Sequence, residues 1–161
     1  MSIELIQRGV CFAFAQSLTL ASGGTQTFVG IPDAVPVTFV FMSIEADGGP
    51  LMVELIEAPT VTAPGTKVTA YNRNRLSTEP HRMAIYGDAV VTGGDVLIER
   101  ELYGSTSGAV AATSVGALEG EWVLDPAKTY AIRITNDSSP PLAVDMTVEF
   151  LFHEILTSVH F

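Results

Sequence analysis

The sequence predicts an all-β protein: an antiparallel two-sheet sandwich, jelly-roll-like, with about ten short strands and little helix. Three observations predict it. Short runs rich in Val, Ile, Thr, Phe and Tyr recur along the 161 residues, several with side chains alternating apolar and polar. Punctuation between them is dense, with 14 Gly and 9 Pro. No stretch of ten or more residues carries an apolar stripe at helical spacing, which argues against a parallel sheet with crossover helices.

The strands are expected at Val10–Ala15, Thr25–Val29, Val37–Ile44, Leu51–Ile56, Lys67–Tyr71, Met83–Tyr86, Val96–Leu102, Glu121–Leu124, Thr129–Thr135 and Val144–Phe152. In the ninth, Tyr130, Ile132 and Ile134 share one face and Arg133 takes the other. In the tenth, the even positions from Val144 to Phe150 are apolar, while Asp145, Thr147 and Glu149 face away. A slip of one residue would bury those carboxylates, so the register is well specified. Asp47-Gly48-Gly49-Pro50, Thr92-Gly93-Gly94-Asp95 and Asp125-Pro126-Ala127-Lys128 read as tight links between antiparallel neighbours. The spacing is irregular and shows no internal repeat, which disfavours a propeller or solenoid. The segment from Leu102 to Leu118 has no charge and is built from small residues around Tyr103. Its length exceeds an ordinary loop. It reads as a surface loop with a weak strand near Val110–Thr113, or as an arm that orders against a partner subunit.

The length suits one domain, residues 1–161. Hydrophobic residues make up 47% and charged residues 16%, and the mean hydropathy is +0.35. That composition excludes a disordered tail and fits a chain that buries surface in a core or an assembly. A formal net charge of −10 makes the chain a poor binder of nucleic acid or of an anionic membrane. Ala13-Phe14-Ala15 has the small-x-small form of a signal cleavage site, but too few apolar residues separate it from Arg8, so a soluble chain is expected.

Charge is unevenly spread. Residues 1–66 sum to −5, residues 67–82 to +3 and residues 83–161 to −8. Half the basic residues (Lys67, Arg73, Arg75 and Arg82) therefore fall in sixteen positions. This island reads as an ion-pair cluster pinning a strand end, an anion site, or a subunit contact with an acidic patch on a neighbour. Arginine forks suit carboxylates and interfaces, and asparagine suits tight turns.

No catalytic, metal or cofactor site is expected. His81, His153 and His160 lack ligand spacing. His153-Glu154 reads as a pair of exposed polar residues beyond the last strand. Cys11, alone in an apolar run, reads as a buried small hydrophobe. No G-x-S-x-G, G-x-x-x-x-G-K or G-x-G-x-x-G occurs. Asn136-Asp137-Ser138 is more simply a turn than a glycosylation acceptor. Trp122 is a core ring or an exposed anchor for sugar or protein.

The order of these features carries a resemblance. A strand, Asn72-Arg73-Asn74-Arg75, a hydrophobic strand and the Gly93-Gly94-Asp95 turn come first. The uncharged segment follows, then Glu121-Trp122-Val123-Leu124, Asp125-Pro126, Thr129-Tyr130, Thr135-Asn136 and a strand ending in His153-Glu154. From roughly Val37 to Glu154 this resembles the small virion structural proteins of tailed bacteriophages, capsid decoration or cement type. The resemblance implies a non-enzymatic jelly roll, a homotrimer on the capsid exterior that is made in the host cytoplasm. Its partner would be the major capsid protein, with no nucleic acid, membrane or cofactor. Asn72, Arg73, Asn74, Arg75, Arg82 and Tyr103 are the expected contact residues, Trp122 is a ligand anchor, and residues 1–30 are the candidate for an N-terminal arm. A glycan-binding sandwich of a tail fibre is the alternative, and a cupin-like enzyme a distant third.

Overall fold

The computed structural model describes residues 3–102, 115–116, 122–138 and 142–155. Tyr103, His160 and most of the uncharged segment lie outside them. After a short helix α1 (Ile3–Gln7) come β1 (Cys11–Leu20), β2 (Thr25–Ile31), β3 (Val37–Ala46), β4 (Leu51–Glu57), β5 (Thr60–Ala63), β6 (Thr66–Val68) and β7 (Tyr71–Asn72). The chain continues through β8 (Ala84–Gly87), β9 (Val90–Thr92), β10 (Asp95–Leu102), β11 (Val115–Gly116), β12 (Trp122–Leu124), β13 (Tyr130–Asn136) and β14 (Val144–Glu154).

The first sheet runs β11-β3-β14-β1-β7, with β12 also on β3. The second runs β10-β4-β13-β2-β8-β6, and β5 with β9 makes a small third. Without the additions at its margins, the sandwich is β12-β3-β14-β1 against β10-β4-β13-β2, all antiparallel. That interleaving of early and late strands in two facing sheets is a jelly roll.

Alternation produces the layers. Val144, Met146, Val148, Phe150 and Phe152 of β14 point inward and are buried, while Asp145 and Glu149 are exposed. Rings from the two sheets meet in the middle. Phe150 stacks on Phe14 at 4.7 Å, and Phe28 of the second sheet meets Phe150 edge-on at 5.0 Å. Burying each such ring contributes about 2–3 kcal/mol. On β13, Tyr130, Ile132 and Ile134 line the core, and Arg133 faces out in a two-pronged bond with Glu54 (2.6 and 2.8 Å), its cross-strand partner on β4.

Four features differ from the sequence expectation. The three tight turns do not join paired neighbours: Asp47–Pro50 and Asp125–Lys128 each cross from the first sheet to the second, and Gly93-Gly94 links the third to the second. Pairing here is long-range, so a short loop spans the gap of about 10 Å between layers instead of closing a hairpin. Gly94 (φ 89) is required there, because a Cβ would lie 2.8 Å from the Glu57 carbonyl. The expected strand Lys67–Tyr71 is two strands, β6 and β7, on different sheets. The strands β5 and β9 were not expected. Their Val61 and Val91 cover a small outer cluster of Val29, Ile56, Ala89 and Ala131, which is why Ala131 is buried on the nominally outer face of β13. Lastly, β1 and β2 lie between other strands, so residues 11–31 are integral to the sandwich and form no arm.

Candidate contact site

The basic island sits at one end of the sandwich, where β7 forms the margin of the first sheet. Pairing with β1 places Tyr71 opposite Ala13 and Asn72 opposite Phe12. Adjacent strand residues face opposite ways. Asn72 therefore turns inward beside Phe12 and is buried, and Tyr71 turns outward and is 64% exposed.

From there the chain makes a loop, residues 73–83, held by its own polar groups. The Asn72 amide Nδ2 donates to the carbonyls of Gly9 (2.7 Å) and Glu79 (3.3 Å), and its Oδ1 accepts from Asn74 N–H (2.9 Å). Asn74 repeats the device one step on. Its Nδ2 donates to the Gln7 carbonyl (3.0 Å) and its Oδ1 accepts from Leu76 N–H (3.1 Å). Backbone N–H groups of Arg73 and Ser77 donate to the carbonyls of Cys11 (2.9 Å) and Asn74 (3.0 Å). At the far side, Glu154 Oε1 accepts from the backbone N–H of Arg82 and of Met83 (3.1 Å). The His81 ring bridges Ala70 N–H (3.2 Å) and the Met83 carbonyl (2.7 Å).

On this braced frame stand exposed side chains. Leu76 is 94% exposed at the loop tip, and Arg73, Arg75 and Arg82 are exposed around it. The Arg75 guanidinium lies 6.0 Å from the centre of the Tyr71 ring. The salt bridges among the described residues join Arg8 to Glu4, Lys128 to Glu57 and Arg133 to Glu54. Arg75 and Arg82 therefore pair with no carboxylate among the described residues, which removes the reading of the island as a cluster of internal ion pairs.

The expected contact residues thus divide. Arg73, Arg75 and Arg82 are brought together on the surface. Asn72 is inside the fold and Asn74 is half-buried with both ends of its amide engaged, so each braces the loop rather than meeting a partner. Tyr103 lies outside the described residues. Trp122 is half-buried, packed against the core opposite Phe39 at the other margin of the sheet, far from β7 in the strand order. His153 and Glu154 correct the sequence reading: both belong to β14. Glu154 continues its inward-facing even positions, is only 4% exposed, and receives the two backbone N–H groups. Cys11 is fully buried, and burial pushes its thiol up against the opposing pull of Arg73. Tyr71 and Leu76 escaped the sequence reading. Their signal was faint: one ring at a strand end and one leucine among polar residues.

No group of three or more His, Cys, Asp and Glu able to hold a metal occurs among the described residues. A cavity of about 50 Å³ between the sheets is lined by hydrocarbon, including Phe14, Phe28, Phe39, Leu55 and Phe150. The Tyr130 hydroxyl, also on its lining, is engaged by Glu57 (2.9 Å) and by Asp125 N–H (2.9 Å). In comparison with known proteins, no family model matches the chain and no curated protein is similar to it.

Proposed function

We propose that this chain is a non-enzymatic structural protein of a virion: a decoration or cement protein that sits on the exterior of a bacteriophage head as a homotrimer and bridges subunits of the major capsid protein. The observation that carries the reading is the braced loop at the β7 margin, with Tyr71, Arg73, Arg75 and Leu76 displayed on it. A loop already ordered by Asn72 and Asn74 loses little conformational entropy on docking, so its exposed groups convert more of their contact energy into adhesion. Tyrosine and arginine are favoured at such contacts, and an exposed leucine supplies an apolar anchor. The net negative charge suits a position outside the shell, away from packaged DNA.

Co-sedimentation with purified phage capsids tests the reading. The native chain is expected to pellet with shells and to raise their resistance to heat. The double variant Arg73→Glu/Arg75→Glu is expected to lose at least tenfold in retention while keeping its circular dichroism spectrum. A native chain that stays in the supernatant overturns the proposed role, and full retention of the double variant overturns the contact site. Light scattering coupled to size exclusion tests the trimer, with a strictly monomeric species at capsid-binding concentrations as the contrary outcome.

A further inference from the structure

The loop that displays Leu76 is closed at its base by two groups whose hydrogen bonds require them to lack a proton. His81 lies between the Ala70 N–H, which can only donate, and the Met83 carbonyl, which can only accept. Nε2 must therefore accept and Nδ1 must carry the hydrogen, so the ring is the neutral Nδ1–H tautomer. An imidazolium would direct a second N–H at the Ala70 N–H and would bring a charge between the rings of Phe12 (6.0 Å) and Phe152 (6.3 Å). Glu154 obeys the same constraint. Its buried Oε1 accepts two backbone N–H groups, from Arg82 and Met83, and a proton on that oxygen would displace one of them.

We infer that His81 and Glu154 form an acid-released latch on the loop spanning residues 71–82: adding protons to the pair frees Ala70, Arg82 and Met83 from their side-chain partners and lets the loop swing off the end of the sandwich. Both groups act in the same direction, because each bond set exists only in the deprotonated form. The charged and titratable groups on the elements around them are few. Strand β1 brings Cys11, strand β14 brings His153 and Glu154 itself, strand β6 brings Lys67, and the loop brings Arg73, Arg75, Glu79 and Arg82. The bonds along the long β1–β14 pairing are all between backbone groups and hold no proton-sensitive member, so the sandwich outlasts the latch. The functional consequence, a contact surface that loses its shape on acidification, rests on the proposed role of this loop; the latch does not.

Two measurements on the free protein decide it. Long-range proton–nitrogen correlation spectra at pH 8 are expected to show His81 as the Nδ1–H tautomer. Hydrogen exchange, corrected for intrinsic rates, is expected to show at least a tenfold loss of protection at the Ala70, Arg82 and Met83 amides between pH 8 and pH 5, with the β1–β14 amides unchanged. In Glu154→Gln, which keeps an acceptor oxygen that does not titrate, the Arg82 and Met83 part of that loss is expected to shrink. In His81→Phe, which keeps the ring packing, Ala70 is expected to be unprotected at both pH values. An Nε2–H tautomer, or unchanged protection at all three amides while His81 titrates, overturns the latch. The tautomer is read on the native chain, so the outcome stands even where a variant fails to fold. Capsid retention is measured separately, so a failed latch and a failed capsid role give different results.

Discussion

Two buried asparagines close opposite ends of the sandwich with the same hydrogen-bond device, yet only one of them supports a displayed surface. Asn72 follows the last residue of a strand pair at one end, and Asn136 ends β13 at the other. In each, Nδ2 donates to two carbonyls and Oδ1 accepts from the N–H two residues on. For Asn136 these are the carbonyls of Leu20 (3.0 Å) and Leu142 (2.8 Å) and the N–H of Ser138 (3.0 Å). Asn136 is entirely inaccessible and is followed by Asp137, whereas Asn72 keeps a slight exposure and is followed by two arginines, Leu76 and a second bracing asparagine. The asparagine marks where a loop is locked. What that loop can bind is written in the residues around it.

The comparison can be broken by stability measurements. Asn136→Ala leaves two carbonyls and an N–H without their partner inside the fold and should cost about 3 kcal/mol, read as a shift in the urea midpoint. Asn72→Ala, nearer solvent, should cost about 2 kcal/mol and should speed proteolysis between Arg73 and Arg82 while leaving the Asn136 end intact. The opposite ranking would mean that the two corners are not equivalent devices.

Strand β13 also separates the ends by their response to pH. At its Asn72 end, Tyr130 is pushed up chiefly by burial, with its bond to Glu57 adding to the rise. Lys128 is pushed up by its hydrogen bond to Glu57, and Glu57 is held down by Lys128 and Tyr130. Groups raised on folding give stability that is complete below their unfolded values and lost as pH climbs through the folded ones, so for Tyr130 and Lys128 the loss comes above about pH 10. Glu57 has the reverse sign, and its share is lost as pH falls through the carboxylate range. Thermal melts from pH 8 to 11 should therefore fall less steeply for Tyr130→Phe than for the native chain. The smallest effect belongs to the surface: Leu76→Asp should change stability by less than about 0.5 kcal/mol, because its side chain leaves no packing behind. A larger loss would show that the loop tip is part of the core.

Much of the fold was legible because alternation is local. The inward row of β14 and the Tyr130–Ile134 face follow from period two alone, and ten expected strands correspond to observed ones with only the Lys67–Tyr71 run divided. Connectivity was not legible, since Gly-Gly and Asp-Pro turns look alike whether they close a hairpin or step between layers. The small β5–β9 sheet was missed because Thr60–Ala63 is short and weakly apolar, and its role depends on covering Ala131 and Ile56. At the site, the arginines were found through their charge. The buried roles of Asn72 and Glu154 depended on which way β7 and β14 face at their ends, and a single polar residue carries no sign of that.

The order of strands in space has a consequence for biogenesis. Strand β14 fills the gap between β1 and β3, and β13 fills the gap between β2 and β4. A nascent polypeptide thus emerges from the ribosome with both ribbons lacking their middle members, and neither can zip shut until residue 154 has cleared the exit tunnel.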